Sequence, residues 1–392
     1  MRLASAVSVL LGLMLACGPK EKVKGLQVRV VWDQDPSTQA RVVWTVPNAS
    51  AKSSVELIPL ESSNKPINPD TQTEPVQYNN SRLFEVNANP YMVAAQFKNL
   101  NPNQKYKIKV AIEGGDSESY WFRTAPVDNS YSLLLGGDSR SDHDVRRYIN
   151  SSIKLIVEEN PEIIAFVHGG DYIADGNDWR QWQMWLNDYR LTYQKEGRIL
   201  PIIPTRGNHE TDKVLYNQVF GFSEDSNGYF KTRIGELDLI TLNSEESISG
   251  TQFNWLESEL AQSKQDGQWI FTNYHRPAYP AVKRPGETKK WVPLFEKYGV
   301  RVAFESDGHT FKQTLPIYEE KKDDSKGVIY LGEGGLGVKQ RRPHNHRWYL
   351  NDGGIAFKQH HFIYIQKQDS KVKIEALDED GNSFHELQLS RR

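Results

Sequence analysis

The sequence predicts a layered α/β sandwich that follows a smaller all-β domain. Residues 26–126 alternate apolar and polar side chains in short runs, and turn sequences such as Asn-Pro-Asp separate these runs. That spacing is typical of an antiparallel β-sandwich. From Tyr131 onwards, apolar strand candidates alternate with stretches of helical period, which is the pattern of a layered α/β domain. The 392 residues are enough for both domains.

The elements of the α/β part follow one another at short intervals. Strands are predicted at 132–136, 163–167, 200–203, 237–242, 269–274 and 300–304. Residues 145–159 repeat apolar side chains at helical spacing, and further helices are predicted at 179–193, 252–262 and 291–298. After about Gly327 the chain returns to strands, and a hairpin over 360–377 is expected to close the sheet.

The first 17 residues have the composition of an export signal. Arg2 precedes an apolar stretch that ends at Cys17, the only cysteine of the sequence. The stretch is too short for a stable membrane-spanning helix, so a secretory signal is the prediction. A cysteine at this place resembles the lipidated cysteine of bacterial lipoproteins, and an ordinary signal with an incidental cysteine is the alternative. We therefore expect an exported protein, lipid-anchored to the bacterial cell envelope through a tether at residues 18–25.

Charge and cysteine content exclude several classes of protein. The chain has 48 Lys and Arg against 50 Asp and Glu, a net charge of −2. A protein that wraps nucleic acid needs a large basic excess, so no such partner is expected. A single cysteine excludes a disulfide scaffold and a thiolate-bound zinc cluster. Metal ligands in the mature chain must then be carboxylates, amides or imidazoles.

Polar side chains follow five of the predicted strands, at the point where each strand ends. Open α/β sheets build their sites at these carboxyl ends. Taken singly, each residue fits a turn or a helix cap, but five in succession indicate a common site. Aspartate, asparagine and histidine together suit Zn, Mn or Fe, and a shared aspartate can hold two ions. The residues are Asp138, Asp171, Asn208 with His209, His275, and Asp307 with His309.

The order of these motifs resembles that of the calcineurin-like metallophosphoesterases. The matching motifs are Gly137-Asp138, Gly170-Asp171, Gly207-Asn208-His209-Glu210 and His275. Residues 26–126 resemble the fibronectin-like N-terminal domain of purple acid phosphatases, so the chain is similar to the bacterial branch of that family. The resemblance implies a fibronectin-like β-sandwich at 26–126 and a four-layer metallophosphoesterase sandwich at 127–392.

The resemblance also implies a role for each residue. Asp171 would bridge two transition-metal ions, which would be Fe, Mn or Zn. Asn208 and His275 would complete one metal site, and Asp138 would belong to the other. His209 would sit near the substrate phosphate, as a hydrogen-bond donor or as the general acid for the leaving alkoxide.

The last metal-binding motif departs from the family pattern, which is Gly-His-x-His. Matching Gly308-His309 to its first half would put Phe311 at a ligand position, where it has no ligand atom. A gapless register instead puts Asp307 and His309 at the two ligand positions, and we prefer it because aspartate binds metals. Ala174 stands where the family has a tyrosine ligand, so no tyrosinate–iron colour is expected.

Two further residues have open roles at this stage. Arg140 stands where many relatives have histidine; a guanidinium is a poor metal ligand but a good phosphate donor. Its alternative is a salt bridge to Asp142 or Asp144. His168 precedes the loop of the bridging aspartate, where it either supports the metal site from behind or is a packed strand-end histidine.

The resemblance implies the hydrolysis of small-molecule phosphate esters. A metal-bound hydroxide would attack phosphorus in line, and phosphomonoesters are the favoured substrates. Two alternatives stay open: a phosphodiesterase acting on nucleotides or lipid headgroups, and a non-catalytic surface-binding protein that retains the enzyme fold. Basic loop residues at Lys283-Arg284 and at 339–342 are either solvated or attract the anionic substrate.

Overall fold

The computed structural model describes residues 26–46, 52–60, 67, 70–72, 91–115, 117–128 and 130–391. The predicted signal, with Cys17, and the predicted tether lie outside these residues. Within the described ranges, no helix combines the length and the apolar character needed to cross a membrane.

The N-terminal part of the described chain is built from β-strands. Antiparallel pairing joins them into a three-stranded sheet and a group of four. Exposed and buried side chains alternate along most of the sixth strand, as in a sheet that covers a core with one face. The predicted all-β N-terminal domain is confirmed. Its strands are β1 (Arg29–Val31), β2 (Ala40–Val46), β3 (Ser53–Pro59), β4 (Asp70–Gln72), β5 (Tyr91–Phe97), β6 (Lys105–Ile112) and β7 (Ser117–Arg123).

The C-terminal part alternates strands and helices and then returns to strands. Its first half contains β8 (Ser130–Gly136), α1 (His143–Glu159), β9 (Ile163–His168), α2 (Trp179–Tyr189), β10 (Ile202–Pro204), α3 (Lys213–Phe220), β11 (Phe230–Ile234), β12 (Leu237–Thr241), α4 (Thr251–Gln265) and β13 (Trp269–Asn273). Its second half contains α5 (Val292–Tyr298), β14 (Val302–Glu305), β15 (Phe311–Gln313), β16 (Ile317–Tyr318), β17 (Lys321–Lys322), β18 (Ile329–Gly332), β19 (Ile355–Phe357), β20 (Phe362–Gln368), β21 (Lys371–Leu377) and β22 (Ser383–Ser390).

Several elements of this part were not predicted, namely helix α3 and the strands β11, β15, β16, β17 and β22. Helix α3 has eight residues, too few for a helical period to stand out in the sequence. Its ends are nevertheless well marked: the Asp212 carboxylate accepts the Leu215 N–H at 3.0 Å, and Gly221 ends the helix at φ 70°. Strand β22 pairs with β21 and forms the edge of the sheet, beyond the predicted hairpin.

Two large sheets organise the molecule. One has the strand order β22-β21-β20-β8-β9-β10-β1-β2-β5-β4, and the other has the order β11-β12-β13-β14-β18-β15-β19. Strands β8, β9 and β10 are parallel, as are β12, β13, β14 and β18. The N-terminal domain joins the first sheet because β1 pairs with β10, with Val31 opposite Ile202. The two domains therefore share one continuous sheet.

Apolar side chains divide the C-terminal part into four layers. Leu133 of β8 and Phe271 of β13 belong to one buried cluster, which lies between the two sheets. Ile149 of α1 packs in a second cluster with the outer face of the first sheet. Leu256 of α4 and Phe295 of α5 pack in a third cluster against the second sheet. The order is helices, sheet, sheet and helices, which confirms the predicted four-layer sandwich.

Candidate metal centre

The predicted site residues follow parallel strands of both sheets. Asp138, Asp171 and Asn208 come after β8, β9 and β10 of the first sheet, and His275 and Asp307 come after β13 and β14 of the second. Parallel strands end at the same edge of a sheet, so each sheet gathers its own residues there. The sandwich then places the two edges side by side.

Two groups of ligand atoms share Asp171. We call Asp138, Asp171 and His309 the first cluster; one ligand atom from each lies within 4.8 Å of the others. Asp171, His275 and Asp307 meet the same distance, and all these residues are buried. Asn208 joins them, because its Oδ1 lies 3.2 Å from Nε2 of His275, and we call these four the second cluster. The structure thus brings the predicted ligand residues together in two groups.

The position of Phe311 separates the two registers of the last motif. Its ring lies in the core, with centroids 5.3 Å from Phe357 and 5.0 Å from Phe384. Asp307 instead lies beside His275, with 3.7 Å between Oδ1 and Nε2. The geometry therefore favours the register that assigns ligand positions to Asp307 and His309.

The ring of His275 is oriented so that Nε2 faces the second cluster. Nδ1 lies 2.8 Å from the carbonyl oxygen of Gly169, which only accepts, so Nδ1 carries the hydrogen and donates. Nε2 then faces oxygens of Asp171 and Asn208, both at 3.2 Å. Burial lowers the pKa of His275, but the Asp171 carboxylate opposes it and raises the pKa well above its usual value. A nitrogen among oxygens attracts a cation, which is a proton or a metal ion in its place, so this donor set fits a metal ion.

The two carboxylate oxygens of Asp171 differ in their hydrogen bonding. Its Oδ1 accepts the N–H of His209 at 3.0 Å, whereas Oδ2 is buried and accepts no hydrogen bond from the described residues. Burial alone would raise the pKa of Asp171, but the imidazole of His275 and the guanidinium of Arg140 hold it well below its usual value. This buried, ionised oxygen accepts no hydrogen bond of good geometry and faces the Arg140 guanidinium at 3.0 Å, so it lies where a cation is favoured.

Four residues of the centre adopt left-handed backbone conformations. The φ angles are 58° for Asp138, 57° for Asp171, 69° for Asp307 and 59° for His309. Such angles are uncommon outside glycine and cost about 1–3 kcal/mol each, unless the surroundings fix them. Here the N–H of Asp138 donates to Gly170 O at 3.0 Å, and the N–H of Asp307 donates to Asp138 Oδ2 at 2.8 Å. Four residues of the centre therefore carry backbone strain, which is a feature of functional sites.

Cationic side chains of the chain itself reach the centre. Nη1 of Arg140 lies 3.0 Å from Oδ2 of Asp171, so the predicted alternative of a salt bridge to Asp142 or Asp144 does not describe its place. The ammonium of Lys283 pairs with the Asp307 carboxylate, and Nη1 of Arg341 donates to the Asp307 carbonyl at 3.3 Å. Two of the basic loop residues thus lie against the centre.

His209 stands at the rim with one nitrogen directed inwards. Its Nδ1 donates to the carbonyl oxygen of Ala174 at 2.7 Å, so Nε2 is the nitrogen left for chemistry. Nε2 lies 4.0 Å from Oδ2 of Asp171, and 31% of the side chain is exposed. The ring therefore lies between solvent and the ligand atoms, which is where a proton donor to a bound phosphate ester would be placed.

His168 is packed and also supports the loop of Asp171. Its Nδ1 accepts the N–H of Gly170 at 3.2 Å, so Nε2 donates to Oγ of Ser139 at 3.1 Å. The ring stacks on Tyr172 with 3.8 Å between centroids. Burial holds the pKa of His168 well below its usual value, which keeps the ring neutral. His168 is thus a packed strand-end histidine, and it also supports the loop of Asp171, so each of the two predicted roles describes part of its surroundings.

Glu210 has a supporting position that the sequence did not reveal. Its carboxylate accepts the N–H groups of Gly207, Asp171 and Tyr172, each at 2.9 Å. Burial and the neighbouring charge of Asp171 raise the pKa of Glu210 to about 8. The loops that carry Asp171 and Asn208 are therefore tied together from below. The sequence signal for this role of Glu210 was its position directly after Asn208 and His209.

A second unpredicted network lies under the loops of His275 and Asp307. The buried ammonium of Lys312 pairs with Glu305 and donates to Glu333 Oε1 at 3.1 Å and to the Tyr279 carbonyl at 2.8 Å. All three ionic side chains are fully buried. Lys312 lies within the short buried strand β15, where the charged residue was the only sequence signal.

Comparisons with known proteins agree with this architecture. The family model described as "Purple acid Phosphatase, N-terminal domain" matches residues 26–124, and the model described as "Calcineurin-like phosphoesterase" matches residues 138–312. The chain therefore contains a calcineurin-like phosphoesterase domain over residues 138–312. Its N-terminal domain is of the purple acid phosphatase type. The fold of this family implies a centre of two metal ions, and the two clusters are the groups that could bind them.

Similar proteins are distant in sequence. Human "Acid phosphatase type 7" is 24% identical over 295 residues, which are 64% of this chain and 65% of the relative. An "Uncharacterized protein" of Mycobacterium tuberculosis is 20% identical over 310 residues, which are 63% of this chain and 58% of the relative. The chain thus spans about three fifths of these relatives. The purple acid phosphatase PPD1 of yellow lupin has a TM-score of 0.76 at 18% identity, over 93% of this chain and 74% of that one. This likeness concerns the fold.

Proposed function

We propose that the protein hydrolyses phosphate esters with metal held at the centre that the two clusters form, and that phosphomonoesters are its substrates. The observation that carries this proposal is the shared Asp171, a buried carboxylate that both sets of ligand atoms surround. The name of the human relative, an acid phosphatase, supports the choice of monoesters.

Bound metal ions would lower the pKa of a water molecule and neutralise phosphoryl oxygens. Asp171, Asn208, His275 and Asp307 would hold one ion, through one imidazole nitrogen and three oxygens. This set contains no thiolate, which suits Zn, Mn or Fe. The hydrogen bond from His275 to the Gly169 carbonyl fixes the ring, so that Nε2 faces the ion.

The side chains at the rim would act on the substrate. Arg140 presents a planar guanidinium fork, which matches the oxygens of a phosphoryl group. His209 keeps Nδ1 on the Ala174 carbonyl, so a protonated ring would give its Nε2 proton to the departing alkoxide. The bond to phosphorus breaks as the oxygen gains this proton, and water supplies the new P–O bond.

Hydrolysis of 4-nitrophenyl phosphate and bis(4-nitrophenyl) phosphate tests the proposal. With Mn²⁺ present, we expect the monoester to be cleaved faster than the diester. Asp171→Ala and Asn208→Ala should each lower the rate more than about 100-fold, because each removes a ligand atom. Asp144→Asn is the matched control, since its carboxylate is 98% exposed and lies on α1.

The outcomes separate the alternatives. Circular dichroism must show that the variants remain folded. A faster diester reaction would favour the phosphodiesterase alternative. A wild-type protein that binds metal ions but cleaves neither ester would contradict the proposal and leave the surface-binding alternative. Undiminished hydrolysis by Asp171→Ala would overturn the assignment of the site.

We also propose that the protein is exported and lipid-anchored through Cys17. The support is the apolar stretch that ends at this cysteine. In a bacterial host that matures lipoproteins, wild-type protein should incorporate labelled palmitate and sediment with membranes. Cys17→Ser should lose the label, and a label retained by this variant would contradict the anchor.

A further inference from the structure

The guanidinium of Arg140 lies inside the first cluster. Its Nη1 is 3.0 Å from Oδ2 of Asp171, 3.0 Å from Nε2 of His309 and 3.4 Å from Oδ1 of Asp138. These are the atoms that form the first cluster, and only 12% of the Arg140 side chain is exposed. One nitrogen of the chain thus contacts every ligand that would surround a metal ion in this half of the centre.

The backbone fixes Arg140 at this place. The N–H of Asp138 donates to Gly170 O at 3.0 Å, and the N–H of Ser139 donates to Asp171 O at 2.9 Å. On the other side, the N–H of Asp142 donates to Gly337 O at 2.8 Å. Arg140 lies between these anchored positions, so its side chain starts directly beside the first cluster.

A guanidinium and a metal ion exclude one another here. The guanidinium stays charged at all relevant pH values and has no lone pair for a metal. A metal ion would bond the same three atoms at about 2.0–2.2 Å, in the space next to Nη1. Two cations at that separation, with only two carboxylates to share, repel one another strongly. The first cluster therefore fits a guanidinium better than a metal ion.

The second cluster differs from the first in the number of its ligand residues and in the exposure of its cation. It offers four ligand residues, and the cation that pairs with the Asp307 carboxylate is the ammonium of Lys283. The Lys283 side chain is 37% exposed, against 12% for Arg140. Lys283 can leave for solvent when a metal ion enters, whereas Arg140 is enclosed by the ligands themselves.

We propose that this protein binds one metal ion, in the second cluster, and that Arg140 replaces the other ion as the fixed cation of the first cluster. The inference rests on the proposed metal-dependent function and changes the composition of the centre from two metal ions to one ion and one guanidinium. The three contacts to ligands all use Nη1, and no hydrogen bond found among the described residues uses Nε or Nη2. These nitrogens remain for a phosphoryl oxygen, which gives the substrate phosphate a metal ion on one side and a guanidinium on the other.

Metal content measured apart from activity tests this inference. Chelator-treated protein would be loaded with excess Mn²⁺, passed through a desalting column and analysed by mass spectrometry for Mn per chain. We expect one Mn²⁺ per wild-type chain, with the electron paramagnetic resonance spectrum of an isolated ion. Arg140→His removes the guanidinium and supplies an imidazole, so it should bind two Mn²⁺ and show a spin-coupled spectrum.

Two further variants separate the guanidinium from charge in general. Arg140→Lys keeps a cation and should stay at one Mn²⁺. Lys283→Gln removes the cation of the second cluster and should also stay at one; a second ion in this variant would overturn the special role of Arg140.

Two Mn²⁺ in the wild-type chain would overturn the inference and leave the proposed function intact. One Mn²⁺ in a folded Arg140→His would overturn it as well. Absence of Mn²⁺ from both proteins would instead contradict the proposed function itself.

Discussion

Replacing Lys312 by methionine tests whether the buried ionic network holds the centre in place. The substitution keeps the length of the side chain but removes the ammonium that pairs with Glu305 and Glu333. Glu305 would still accept a hydrogen bond from the N–H of Ala278 at 2.7 Å, and Glu333 would still accept one from the N–H of Ala281 at 2.7 Å. Two buried carboxylates would then face each other without a cation.

The expected cost follows from the burial of all three side chains. Removing one partner of a buried ion pair costs about 3–5 kcal/mol, because a charge is left uncompensated. For a cooperative unit of this size, about 4 kcal/mol lowers the melting temperature by roughly 10 °C. Lys322→Met is the control: its ammonium is exposed and donates to the Asp352 carbonyl at 3.3 Å, so we expect a change within about 0.5 kcal/mol.

The pH dependence adds a second readout to the same experiment. Burial already raises the pKa of Glu333 to about 7 in the presence of Lys312, and loss of the ammonium should raise it further. Between the unfolded pKa of about 4.5 and this raised value, the folded protein binds more protons than the unfolded one. Stability is then lost as the pH rises, so Lys312→Met should recover part of its loss between pH 8 and pH 6.

Thermal denaturation and urea unfolding at these two pH values measure the effect. The double variant Lys312→Met/Glu333→Gln should regain part of the lost stability at pH 8, because one of the two charges is gone. A Lys312→Met protein as stable as Lys322→Met at pH 8 would show that the buried ionic network does not hold the centre in place.

Three further predictions concern the centre. His209→Gln should slow the hydrolysis of alkyl phosphates about 10²–10⁴-fold but affect 4-nitrophenyl phosphate much less, since that leaving group needs no proton; equal losses would contradict the general-acid role. Gly334→Ala should abolish hydrolysis and melt below Gly267→Ala, because a Cβ at Gly334 would lie 1.8 Å from Asp138 Oδ2, whereas Gly267 has open space and the same left-handed backbone. Mn²⁺ at 100 times its dissociation constant should add about 2.7 kcal/mol to the stability of the wild type, and a calorimetric shift of equal size in Asn208→Ala would contradict its place among the ligands.

The sequence was informative where local pattern and final structure coincide. Buried parallel strands are continuous apolar runs, so β9 and β13 could be located to within a residue or two. The polar residues directly after those runs identified the centre, because strand ends in such a fold converge whatever the details of packing. The preference for Asp307 over Phe311 needed only the chemistry of the two side chains.

The features that escaped prediction depend on contacts between distant segments. The pairing of β1 with β10 rests on a short parallel register, which no local pattern encodes. The position of Arg140 within the first cluster depends on the backbone hydrogen bonds between the loop of Asp138 and the loop of Asp171. From the sequence alone, Lys312 would be placed at the surface like most lysines. Its burial follows from the packing of strand β15, whose three residues are all buried.

The most direct test of the account is a titration of hydrolysis with metal. Chelator-treated wild-type protein would be supplied with increasing Mn²⁺, and cleavage of 4-nitrophenyl phosphate would be followed at each step. We expect no cleavage without metal, and a rate that rises in proportion to bound Mn²⁺ until one ion is bound per chain. A rate that stays at zero when Mn²⁺ is bound, or that needs no metal, would contradict this expectation.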